Sequence, residues 1–238
     1  MAVPFRAAGG RSIPVIALVV LTAGSWLALL GGSMAGDSIG SFLVGWLVMM
    51  TAMMLPAAMP MIRIVRLATP PGRWGDWHIL LFVTGYLMLW TALGIVALVA
   101  RSTVTALGPT GETWAAIGVL ALAGAYEFSP LKHSCLTACR SPMDFVVLHW
   151  RSGAAGALRL GIDHGLYCIG CCWALMAVLV IAGGMGLGWV AGIALVVFAE
   201  KVLPGNTIVP RAVGVALLVS AGLIAIWPWL LPTAATTM

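Results

Sequence analysis

Apolar residues run in seven stretches, about 13–32, 41–65, 78–101, 113–128, 157–182, 185–203 and 210–231. Most approach the length at which an α-helix crosses the hydrocarbon core of a bilayer. Short polar segments separate them, and the ten-residue alternating segments of a membrane β-barrel are absent. The pattern predicts an all-α, polytopic transmembrane helical bundle of about seven spans, with residues 1–238 forming a single membrane domain. The fourth run is short. If one run lies in the interface, the count is six and everything C-terminal to it inverts.

Charge orients the bundle. With the N-terminus inside, the inner segments hold Arg6, Arg11, Arg63, Arg66, Arg73, Lys132, Arg140, Arg151, Arg159, Lys201 and Arg211, leaving only Arg101 outside. This follows the positive-inside rule and gives an N-in, C-out arrangement. Arg6 and Arg11 before an apolar run superficially resemble a signal peptide. The run is too long and Gly31-Gly32-Ser33 is a poor cleavage signal, so a retained first helix is expected. Composition agrees: 62% of residues are hydrophobic, 8% are charged, and the mean hydropathy is +1.08. A soluble globular domain is excluded, and the net charge of +5 reads as topology and not as a nucleic-acid footprint. The implied compartment is a membrane.

Chemistry concentrates in the fifth run, at DHGLYCIGCCWALM, Asp163 to Met176. His164, Cys168, Cys171 and Cys172 stand at i, i+4, i+7 and i+8, within roughly a 100° sector of one helical face. Thiolate and imidazole are ligands that soft metals prefer, and reactive groups inside a membrane point to function. Asp163 points away from this face and is expected to pair with a basic residue such as Arg159. All five cysteines lie between residues 135 and 172. Their odd number argues against a simple disulfide framework, and a vicinal Cys171–Cys172 bridge would be strained.

The second run, WLVMMTAMMLPAAMPMIRIV, holds six methionines: Met49, Met50, Met53, Met54, Met59 and Met61. Pro56 and Pro60 are expected to kink this helix and free carbonyls that neighbouring helices must satisfy. Methionine is commonly an adaptable packing residue, but thioethers also bind copper(I) well and most other biological metals poorly. With the second and fifth runs antiparallel, Met50, Met53 and Met54 fall at the depth of the cysteines, within about one turn or ~5 Å.

Between the fourth and fifth runs, LKHSCLTACRSP places Cys135 and Cys139 one helical turn apart. Ser141-Pro142-Met143-Asp144 reads as a helix start, followed by a short interfacial helix stopped at Gly153. The bland readings are equally definite. Glu127 reaches water or Lys132; Glu200 and Lys201 snorkel or pair at a helix end; His149 is an interfacial polar residue. Gly161 with Gly165, and Gly184 with Gly188 and Gly192, form stripes for close helix packing. The first and third runs show no chemistry, Trp227 and Trp229 anchor the last one, and no internal repeat is visible.

The segments WLVMMTAMMLPAAMPMI, SPLKHSCLTACRSPMDF, WRSGAAGALRLGIDHGLYCIGCCWALM and AEKVLPG resemble the bacterial domain-of-unknown-function 2182 family over about residues 42–205. Its members are described as predicted metal-binding integral membrane proteins and are sometimes labelled copper chaperones. The resemblance implies metal binding without naming a reaction. Joined to the residues, it leads to a protein that binds and hands on copper(I), not an enzyme. His164, Cys168, Cys171 and Cys172 are the central ligands, Met50, Met53 and Met54 the weaker ones, and Cys135 and Cys139 the cytoplasmic receiving pair. Its partners are the lipid bilayer and a soluble copper donor or acceptor protein, with no nucleic acid.

Zinc suits a Cys/His site but leaves the methionines unexplained. The rival is a membrane thiol–disulfide oxidoreductase, against which stand the lack of a CxxC and a peripheral pair on the reducing side. A haem or quinone site lacks a second intramembrane histidine, and a purely structural protein is the plain alternative. No nucleotide-binding loop and no DPC or CPC pump signature occurs, so any movement of the ion is passive, exchange-driven or partner-dependent.

Overall fold

The computed structural model describes residues 13–32, 38–70, 72–181, 186–203, 205 and 207–227, and its regular elements among these are all α-helices. Arg6, Arg11, Gly184 and Trp229 lie outside the described residues. In chain order the helices are α1 (Ile13–Leu30), α2 (Ile39–Ala68), α3 (Arg73–Ala106), α4 (Gly108–Glu127), α5 (Pro130–Arg140), α6 (Pro142–His149), α7 (Ala154–Ile181), α8 (Leu187–Val202) and α9 (Ile208–Ile226). Each apolar run is thus helical over most of its described residues. By length and apolarity α2, α3, α7 and α9 can each cross a membrane, and the bent pair α4–α5 makes a fifth span if taken as one. The sixteen residues of α8 rise about 24 Å, short of the ~30 Å hydrocarbon core.

Contacts divide the chain into two units. The first holds the described residues up to Gly94 together with Cys135–Ile169. Here α2 opens on a capping box: Ser41 N–H donates to Ser38 Oγ and Ser38 N–H to Ser41 Oγ, both at 3.1 Å. Pro56 and Pro60 sit inside α2, which remains one helix. Proline lacks the N–H that would bond the carbonyl four residues back, so Pro56 leaves the Ala52 carbonyl without its helical donor. Trp26 of α1 supplies one, its Nε1–H donating to Ala52 O at 3.0 Å. The expected demand on a neighbouring helix is met by a residue that sequence reading treated as ordinary packing.

A turn at Gly72, with φ of +87°, leads into α3. Trp46 of α2 donates to the Trp90 carbonyl of α3 at 2.7 Å. Against α7, α3 approaches to backbone contact. A Cβ on Gly161 would stand 2.0 Å from Phe82 O, and one on Gly85 would stand 2.4 Å from Leu158 O. The glycine stripe expected on the fifth run therefore packs, whereas Gly188 and Gly192 on α8 face open space. On α6, Pro142 opens the helix after Ser141 as expected, although the Ser141 side chain makes no capping hydrogen bond.

The second unit holds Ile95–Ser134 and the described residues from Gly170 onward. Leu120 and Ala123 of α4, Ala174 and Val178 of α7, and Ala221 and Ile224 of α9 form its buried core. Tyr126 donates to Gly170 O at 2.5 Å and meets Trp173 edge-on at 5.1 Å. Ser129 starts α5, its hydroxyl accepting from Lys132 N–H at 3.1 Å.

Candidate metal centre

The face that carries the cysteines is buried. Cys168, Cys171 and Cys172 are 0%, 1% and 1% exposed, and all five cysteines are thiols. Residues three and four apart on a helix are neighbours, so α7 brings Cys168 up against both Cys171 and Cys172. The three sulfurs all lie within 4.8 Å of one another. Two sulfurs bound to one ion at about 2.3 Å stand at most ~4.6 Å apart, so small rotamer changes suffice to close the set on a metal. A buried group of three sulfurs suits a soft cation.

His164 lies one turn before Cys168, buried at 3% exposure, but it does not join the sulfur group. Its ring is enclosed by aromatics: Phe82 at 5.9 Å and Tyr86 at 5.5 Å stack on it, and Phe145 of α6 meets it edge-on at 5.6 Å. The four residues predicted as one ligand set thus resolve into three clustered sulfurs and a histidine held beside them. Phe145 also stacks on His149 at 4.2 Å, which places His149 in an aromatic contact on the short helix.

Tyr86 was missed by sequence reading, which found no chemistry in α3. Its hydroxyl lies 3.0 Å from Cys168 Sγ, and the side chain is fully buried. The available signal was a tyrosine in the middle of an apolar span, where a hydroxyl has to find a partner.

Met50, Met53 and Met54 are buried on α2, none more than 2% exposed. Cys135 and Cys139 stand on α5 as the spacing predicted, half-buried and outside the three-sulfur group. Asp163 makes no ion pair with Arg159. Glu127 reaches Lys132, one of the two outcomes expected of it, and Glu200 pairs with that same lysine across helices. Lys132 Nζ donates to Glu127 Oε2, and to Glu200 Oε1 at 3.0 Å with Oε2 at 2.9 Å. All three residues are buried.

Residues 43–224 match the family model PpoB2, described as a copper chaperone. The chain belongs to this family. The match takes in the sulfur cluster, His164, Tyr86, the α2 methionines and the α5 cysteine pair, and it extends through most of α9. No curated protein and no solved structure matches the chain. Membership in the PpoB2 copper chaperone family and the buried three-sulfur group together suggest metal binding, and the family description suggests non-enzymatic metal handling.

Proposed function

We propose that this PpoB2-family chain is a membrane-embedded copper(I) chaperone or carrier that holds the ion on Cys168, Cys171 and Cys172. The observation that carries the reading is the buried group of three sulfurs within 4.8 Å on α7. A monovalent d¹⁰ ion is satisfied by two or three soft ligands, whereas zinc in a structural site takes four. His164 is the fourth candidate, one turn away. Met50, Met53 and Met54, in a methionine-rich helix, are weaker thioether ligands for a next step. Cys135 and Cys139 receive or release the ion at the cytoplasmic face, in exchange with a soluble donor or acceptor protein. A gradient from thiolate to thioether moves an ion without trapping it.

The reading includes a single membrane domain in a bacterial inner membrane, with seven spans, N-in and C-out. In that count α1 and α8 cross with the longer helices, and α6 lies in the interface.

The test is metal analysis of the purified chain in detergent after anaerobic loading with copper(I), with X-ray absorption at the copper edge. About one ion per chain in an all-sulfur or sulfur-dominated shell of two or three ligands is expected. The variant carrying Cys168→Ser, Cys171→Ser and Cys172→Ser loses it. Full stoichiometry in that variant overturns the assignment.

A further inference from the structure

Tyr86 reaches the sulfur cluster from another helix with a polar group. Its hydroxyl oxygen is 3.0 Å from Cys168 Sγ, and both side chains are fully buried. Its ring lies on the His164 ring at 5.5 Å and meets Trp90 edge-on at 6.4 Å, so one side chain braces both the histidine and the first cysteine of the face. The ring has little freedom to turn away. Gly161 and Gly85 bring the backbones of α3 and α7 into contact on the same side, and a Cβ on Gly165 would lie 3.6 Å from Tyr86 Cδ2.

The chemistry of the contact changes with the state of the sulfur. In the thiol form either the S–H or the O–H serves as donor. Copper(I) binding replaces the S–H bond by an S–Cu bond. The proton leaves to solvent or to the ligand that delivered the ion, and no electron is transferred. The sulfur then has no hydrogen, and only the tyrosine can donate. Hydrogen bonds to a charged acceptor are stronger than neutral ones, and groups that orient a metal ligand from behind commonly govern affinity.

We propose that Tyr86 is a positioning residue for the metal centre. Its hydroxyl holds the Cys168 sulfur in the cluster and becomes an obligate donor to it when the ion binds. This rests on the copper(I) reading above. It goes further by assigning a role to α3.

The experiment compares the full wild-type chain with Tyr86→Phe in detergent, loading copper(I) anaerobically against a chromophoric copper(I) chelator. Tyr86→Phe keeps the ring contacts and removes one hydroxyl. Unchanged copper stoichiometry, an affinity lower by about tenfold, and a shifted sulfur-to-copper ultraviolet band are expected. In the wild type alone, copper loading shifts a tyrosine C–O infrared band toward that of a hydrogen-bond donor. Tyr86→Phe, loaded in the same way, lacks the shift, which separates it from the bands of Tyr126 and Tyr167.

Equal affinity and identical bands in the two chains overturn the role of Tyr86 while the copper reading stands. Tyrosine bands that copper leaves unmoved in the wild type overturn it even where the variant does not fold. A wild-type chain that binds no copper overturns the copper reading itself.

Discussion

At the scale of single residues, the proposed sulfur ligands divide into two kinds that differ in strength. The three thiols on α7 sit in one buried group, and Met50, Met53 and Met54 are buried side chains whose thioethers bind soft ions more weakly. Replacing the three methionines with leucine conserves volume and costs about 1.5 kcal/mol or less per site, so the fold persists. The expected outcome is unchanged copper stoichiometry with slower transfer of the ion to a soluble chelator, followed by stopped-flow absorbance. Unchanged transfer rates return these residues to packing. The positions of the cysteines on one helical face were legible because helix period is a local property. The hydroxyl that reaches Cys168 comes from 82 residues away, and nothing local marks that pairing.

At the scale of elements, two sets of contacts between helices answer problems that the sequence poses openly. Pro56 strands the Ala52 carbonyl, and Trp26 answers it. Trp26→Phe therefore leaves a carbonyl without a donor and is expected to destabilise the chain by about 1–3 kcal/mol. Pro56→Ala, which restores a helical N–H, should recover most of that loss in thermal unfolding. A double-mutant cycle without coupling would show that the indole bond is incidental. The second set is the buried lysine between two carboxylates, joining α4, α5 and α8. Lys132→Met leaves two buried carboxylates without their cation and is expected to cost about 3–5 kcal/mol. Adding Glu127→Gln and Glu200→Gln to it removes the charges together and should restore much of the stability. Detergent-solubilised melting temperatures decide this, and a triple variant as unstable as the single one sinks the explanation.

At the scale of the whole molecule, the proposed seven-span, N-in and C-out arrangement makes a measurable claim. Reporter fusions placed after Arg73 and Arg151 should report the inner side, and fusions after Arg101 the outer side. A C-terminal fusion active on the inner side removes one span from the count. Apolar run length, helical period and basic-residue bias are local quantities, so the sequence by itself determined that the described residues are helical, the limits of the long helices to within about five residues, and the face on which three cysteines gather. It also exposed the need of the second helix for an outside donor. Which helix would answer was a matter of packing. Only the tertiary structure closed the rings of Phe82 and Tyr86 over His164, aimed Tyr86 at Cys168, and brought Glu200 to Lys132. Each of these depends on a distance between side chains remote in sequence. In an apolar bundle a buried polar group binds whatever partner the packing brings within about 3 Å, because neither lipid nor the core offers another.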